Sequence, residues 1–378
     1  MTSRQTRLRQ AQAETDKLFQ LLADGAIYER PIPERHRLIF YLGHFDAFDW
    51  NQLCRASLGM RSFHPTFDKL FEAGIDPEPG KAPQDQAHDW PRVDEVLAYV
   101  QRIREYVYDA VTRAPNEIFE TVLEHRLMHA ETFAYLLHEL PHAFKHGRVD
   151  EPVRCPAPGQ ELVELPGGTA VIGQEHGKFG WDNEFDQHKV EVSAFRMARY
   201  KVTNGEYLHF VREGATAPHF WALRWGKWYW RGMFDYTPLD HGSPVYVTHA
   251  EATAYARWKG AALITEPQFH RAASDVREDV TSMNVGFLRW DPVPVNADQG
   301  LQLIGNGWEW TSTRFAPFPG FRPFAHYPGY SEPFFDGEHY VLKGGSPRTA
   351  KQLLRPSFRN WFRHEYPYVY GTFRLVRD

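Results

Sequence analysis

Apolar residues recur at helical spacing through about the first 150 positions and then give way to short alternating runs. Residues 4–23 carry Leu8, Leu18, Leu21 and Leu22 in a polar frame, a weak amphipathic pattern. The segment 34–58 (ERHRLIFYLGHFDAFDWNQLCRASL) follows Pro33 and is strongly apolar. A third stretch, 92–113, places Val93, Val96, Leu97, Val100, Ile103 and Val107 at helical spacing. A fourth follows Pro115 and runs to about Leu140. One long connection, 61–91, holds Pro65, Pro77, Pro79, Pro83 and Pro91. Four helices with one long link predict a four-helix bundle over residues 1–150.

Residues 147–160 (GRVDEPVRCPAPGQ) read as a linker. Beyond them come β-type runs broken by Gly and Pro: ELVELPGG, TAVIGQ, HKVEVSAFRMARY. Only 204–213 and 249–259 have clear helical patterning, and the rest is aromatic-rich and irregular. The expectation is an α+β chain, with the bundle followed by a loop-rich domain over 151–378. A length of 378 residues agrees with two domains.

Composition narrows the function classes. A net charge of −5 and a pI near 6.4 give no basic surface for nucleic acid. No run of about 18 apolar residues is present, and the start (MTSRQTRLRQAQAE) is too polar for a signal peptide. The expectation is therefore no membrane partner and a cytoplasmic location. Cys54 and Cys155 alone build neither a disulfide framework nor a four-cysteine zinc site. The 19 histidines are the unusual feature, because imidazole is the commonest transition-metal ligand.

In the fourth helical segment, Ile118, Val122, His125, His129 and Leu136 fall on one stripe. His125 and His129 are one turn apart on one face and can bind the same ion. An isolated H-x-x-x-H is more often two packed histidines, but His44 lies in an otherwise apolar stretch (LIFYLGHFDAF) that also faces inward. Facing helices commonly build metal sites in bundle cores. Three neutral imidazoles leave open positions on an octahedral ion, which a substrate and O2 both need. Glu131 sits about 200° round the helix from His129, which suits a supporting role rather than ligation. Cys54 reads as a small buried apolar group.

These residues resemble a known family. His44 with H-x-x-x-H-x-E at 125–131 is similar to the DinB-like bundle of the sulfoxide synthases of ergothioneine biosynthesis. VELPGGTAVIG, WDNEFDQHKVEV, YKVTNGEY, PVYVTHAEATAYARWKGAALITEPQFHRAA, GNGWEWTST, KGGS and GTFRLVR resemble the formylglycine-generating-enzyme (sulfatase-modifying-factor) fold, a C-type lectin variant. The resemblance implies an oxidoreductase with an Fe(II) cofactor on His44, His125 and His129. Its small-molecule substrates would be O2, a chalcogen nucleophile and hercynine, whose imidazole is modified at C2. It also implies an acidic tyrosine in AHYPGYSEPFF, which makes Tyr327 the catalytic candidate and Tyr330 its substrate-contacting neighbour. The segment FRNWFRHEYPYVYGTFR matches the family's substrate-binding end, so Asn360 and Trp361 are candidates for contacting the betaine.

The chain departs from the pattern in three places. The loop SFHPTFDKLFEAGIDPEPGK has no arginine to grip a donor carboxylate, Phe362 stands where one branch has aspartate, and Met128 where many members carry Gln. HFDAFDWN and FDKLFEAGIDP resemble the selenoneine synthase branch, which couples a selenosugar to hercynine. The preferred expectation is that activity, with an ergothioneine-type sulfoxide synthase using γ-glutamylcysteine or cysteine as the alternative. Formylglycine generation needs a late cysteine pair, and no cysteine follows Cys155. A lectin-like binding module would leave three inward histidines without purpose.

Overall fold

The computed structural model describes residues 3–72, 83–274, 283–296 and 300–377. It divides into two compact units, Met1–Arg148 and Val149–Asp378.

The first unit is helical: α1 (Ser3–Phe19), α2 (Leu38–Asp49), α3 (Pro65–Leu70), α4 (Val93–Ala110) and α5 (Asn116–Glu139). α1 packs on α5, and α2 packs on both α4 and α5. Every residue of α2 except Leu42 is buried, as befits a helix apolar on all sides. Past Asp49 it widens into a π-type turn, Trp50–Ala56. The sequence predicts four helices, and α3 is a fifth, short one inside the long connection. His64 caps it, its Nδ1 accepting from the Phe67 N–H at 3.2 Å, and Pro65 occupies the first turn, where its missing N–H costs nothing. Gly43 is required where α2 meets Phe71: a Cβ there would lie 2.5 Å from the Phe71 ring.

Among the described residues, the second unit mixes small sheets with three α-helices. Its strands are β1 (Leu162–Leu165), β2 (Gly168–Ile172), β3 (His188–Val192), β4 (Phe195–Ala198), β5 (Trp221–Arg224), β6 (Lys227–Arg231), β7 (Tyr236–Pro238), β8 (Ala262–Leu263), β9 (Trp308–Arg314), β10 (His339–Lys343), β11 (Asn360–Arg363), β12 (Gly371–Thr372) and β13 (Leu375–Arg377). One sheet runs β1-β4-β13-β8 and another β11-β10-β9-β12. Hairpin β2-β3 packs with Phe195, Met197, Ile264, Phe269 and Val376 in one apolar core. Helices α6 (Asn204–Arg212) and α7 (His249–Trp258) fall where the sequence predicts them, each opened by a threonine capping box. A third helix, α8 (Glu266–Ser274), was not expected. Pro267 looks like a breaker but sits in its first turn, and Phe269, His270 and Ala272 turn inward. The α+β class holds, with a helical first unit and a second unit of mixed helix and sheet.

Candidate functional site

α2 delivers His44, and α5 delivers His125 and His129, into the interior of the bundle. One ligating nitrogen from each lies within 4.8 Å of the others, and this is the one such group of three found among the described residues. The rings are 3 %, 2 % and 5 % exposed respectively, so their protonation is set by the interior. Burial pushes the His44 imidazole down to about 4 and holds His125 and His129 well below the usual range, with the neighbouring imidazoles adding to the effect. All three are neutral near pH 7, the form that donates a lone pair to a metal.

Orientation is fixed locally. His44 Nδ1–H donates to the Phe71 carbonyl at 2.7 Å, leaving Nε2 buried without a protein partner. Nδ1 of His129 is likewise buried without one. His125 stacks on Phe48 at 3.4 Å and 11°, and His44 on Phe40 at 4.7 Å and 22°. Orphaned nitrogens at short mutual distances, with no thiolate among them, fit a borderline divalent ion such as iron(II). Cys54 is fully buried and its thiol is pushed up to about 12, mainly by desolvation. Glu131 is buried and accepts a hydrogen bond from the Tyr135 hydroxyl at 2.8 Å.

An ion network, buried at Arg126, Asp46 and Asp49, ties α2 to α5. Arg126, next to His125, places its guanidinium 2.5 Å from Asp49 Oδ2 and 3.0 Å from Asp46 Oδ1 on α2. Arg104 of α4 bridges Asp46 at 2.9 Å and Asp16 of α1 at 2.7 Å. Burial and the adjacent Asp46 push the Asp49 carboxyl up while Arg126 pulls it down. Neither Arg126 nor the Phe71 carbonyl was picked out from the sequence. Arg35, also buried, bears on the site too, since its charge helps lower His129.

The remaining candidates lie in the second unit and form an aromatic cluster. Tyr330 stacks on Trp181 at 3.9 Å and 25°, and meets Trp361 edge-on at 5.2 Å. Tyr327 lies 5.7 Å from Tyr330 and 6.4 Å from Trp181, centroid to centroid. Trp361 lies flat on Phe315 at 4.2 Å and 6°. Asn360 is half-buried at the start of β11, its Oδ1 accepting from the Trp361 N–H at 3.0 Å. Tyr327, Tyr330, Asn360 and Trp361 are thus gathered in one region, with Trp181 as an unforeseen member. Arg359 is buried and paired with Glu266 at 3.1 Å, whereas Arg363 is exposed. His326 stacks on Phe324 at 4.9 Å. The WGKWYW stretch is the β5–β6 hairpin: Trp225 is exposed at its tip, and Trp230 donates to Asp291 at 2.8 Å.

The sulfatase-modifying factor enzyme 1-like domain model matches residues 149–285 and 291–378, and the DinB superfamily model matches 7–148. Ergothioneine biosynthesis protein 1 of Neurospora crassa is 27% identical over 95% of this chain and 56% of its own length. Its Schizosaccharomyces pombe counterpart is 28% identical over 95% and 54%. The chain therefore spans just over half the length of these fungal relatives. Hercynine oxygenase of Mycolicibacterium smegmatis is 30% identical, covering 83% of this chain and 84% of that protein.

Proposed function

The chain belongs to the hercynine oxygenase family, here a DinB-type bundle joined to a sulfatase-modifying factor enzyme 1-like domain, and on that premise we propose that it is an iron(II)- and O2-dependent enzyme bonding a chalcogen nucleophile to C2 of hercynine. The observation that carries this reading is the convergence of three buried, uncharged imidazoles from α2 and α5. His44, His125 and His129 would hold the ion. When bound, iron(II) supplies the one-electron chemistry that lets O2 react with closed-shell partners.

The other roles belong to the chain's own residues. The hydroxyl of Tyr327 supplies a proton or hydrogen atom during coupling. A trimethylammonium group has no N–H to donate, so it is recognised by aromatic faces and amide oxygens. Tyr330, Trp361 and Asn360 offer both. For a thiol donor the overall change is hercynine C2–H plus R–SH plus O2 giving the C2 sulfoxide and water. Oxygen accepts four electrons, two from forming the C–S bond and two from oxidising sulfur.

A thiol donor, γ-glutamylcysteine or cysteine, is the reading that the relatives support. A selenosugar donor is the second reading, favoured by the loop after Arg61, which lacks arginine, and by Phe362; residues 73–82 of that loop lie outside the described residues. The two are separated by supplying hercynine, O2 and either donor class to the iron-loaded protein and identifying products by mass spectrometry. Turnover with thiols alone establishes the sulfoxide synthase, and turnover with the selenosugar alone the selenoneine activity. No product with either overturns both.

A further inference from the structure

Asp182 sits in a short turn, Asp182–Glu184, and is 1 % exposed. No cation pairs with it among the described residues; its contacts are neutral donors. Ser331 donates its hydroxyl to Asp182 Oδ1, and Asn183 Nδ2 donates to Ser331 Oγ at 2.9 Å. Ser331 ends the segment 324–331, which carries Tyr327 and Tyr330 and has no regular secondary structure. Two backbone hydrogen bonds within it are local turns, Tyr327 N–H to Phe324 O at 3.1 Å and Tyr330 N–H to Tyr327 O at 3.3 Å. Turns of that kind fold a loop but do not place it on a scaffold.

The other side of the same turn is tied to the substrate strand. Arg355 grips Glu184 through Nε at 2.8 Å, and Arg359 Nη1 donates to the Asn183 carbonyl at 3.2 Å. Arg359 directly precedes Asn360 and Trp361 on β11, and Trp181 directly precedes Asp182 and stacks under Tyr330.

We infer that Asp182 is a positioning residue, which fixes the tyrosine loop through Ser331 to the turn that Arg355 and Arg359 hold against the Asn360–Trp361 strand. The inference rests on the proposed role of that loop in hercynine coupling. Desolvation pushes the carboxyl up to about 6, a cost that an apolar side chain of similar size would avoid if packing were its only task. What the carboxylate adds is a directed acceptor, Oδ1, at the Ser331 end of the loop.

The test uses the full chain with Asp182→Ala, Asp182→Asn and Ser331→Ala, read first by amide hydrogen exchange and then by kinetics. Exchange across 324–331 accelerates in Asp182→Ala and Ser331→Ala while the β9–β10 core keeps wild-type protection. Asp182→Asn retains one acceptor and lies between them and wild type. In the variants kcat for coupling falls on the order of ten- to a hundredfold, from misplacement of the tyrosines, with iron content unchanged. Wild-type exchange across 324–331 in both Asp182→Ala and Ser331→Ala overturns the inference, as does an Asp182→Asn as loose as Asp182→Ala. A loosened loop in a protein whose wild type does not turn over hercynine leaves Asp182 in its role and discards the function instead. Ser331→Ala, which removes one exchangeable hydroxyl, keeps the test valid if Asp182→Ala fails to fold.

Discussion

Nδ1 of His44 donates to the backbone carbonyl of Phe71 at 2.7 Å, so the lone pair of that imidazole resides on Nε2. The tautomer is thereby set by backbone 27 residues away. Phe71 reaches this position because Gly43, the neighbour of His44, has no Cβ to obstruct its ring.

Metal binding should accordingly depend on each histidine. His44→Ala, His125→Ala and His129→Ala each weaken iron(II) binding, measured by titration calorimetry. The loss exceeds the roughly ten- to hundredfold typical of removing only an outer hydrogen-bond partner. Glu131→Gln keeps nearly normal affinity, since Glu131 faces Tyr135. Full iron occupancy in any of the three alanine variants removes that residue from the ligand set.

The ion network predicts a stability effect separate from chemistry. Arg126→Met leaves Asp49 buried without its guanidinium, and such an uncompensated charge costs about 3–5 kcal/mol. Urea unfolding monitored by helix content measures it. A midpoint equal to wild type would mean that Arg126 does not hold α2 to α5.

Much of the bundle could be read from sequence because its signals are local. His44 stands alone in LIFYLGHFDAF, and the spacing of His125 and His129 is one helical turn. The buried Arg126 escaped notice since a charged side chain in an apolar stripe reads as a solvated one until Asp46 and Asp49 are seen opposite. α8 was missed because Pro267 carries opposite meanings inside a helix and at its start. Asp182 was invisible for another reason: Ser331, its main partner, is 149 residues away, and no periodicity encodes such a contact.

In the second unit, His249 is one of the groups through which pH acts, beside His270, which burial pushes down to about 3. His249 is 6 % exposed, stacks on Tyr340 at 3.7 Å and donates from Nε2 to the Thr311 carbonyl at 3.1 Å. Burial pushes it down to about 4. Between its unfolded value near 6.5 and about 4, the unfolded chain binds the extra proton, so stability falls as pH drops through that window. The contribution is at most about 3 kcal/mol. His249→Gln should reduce the slope of unfolding free energy against pH between those values; an unchanged slope assigns it to His270 and the bundle histidines.

Tyr327→Phe keeps the ring and removes the hydroxyl. Packing against Trp181 should survive, with a near-ultraviolet circular dichroism spectrum like wild type. Coupling should fall by about two orders of magnitude, the usual scale for a lost acid–base group. Unchanged product formation would move the acid elsewhere, with Tyr330→Phe as the next variant.

The central claim, an iron(II) enzyme acting at C2 of hercynine, is tested most directly with C2-deuterated hercynine in air, with γ-glutamylcysteine, cysteine and a selenosugar as donors. The iron-loaded full chain is predicted to release the C2 deuterium and to yield a product carrying the donor's sulfur or selenium, while His129→Ala releases none. Retention of the deuterium by iron-loaded wild type with every donor, or equal release after the metal is stripped, would contradict the account.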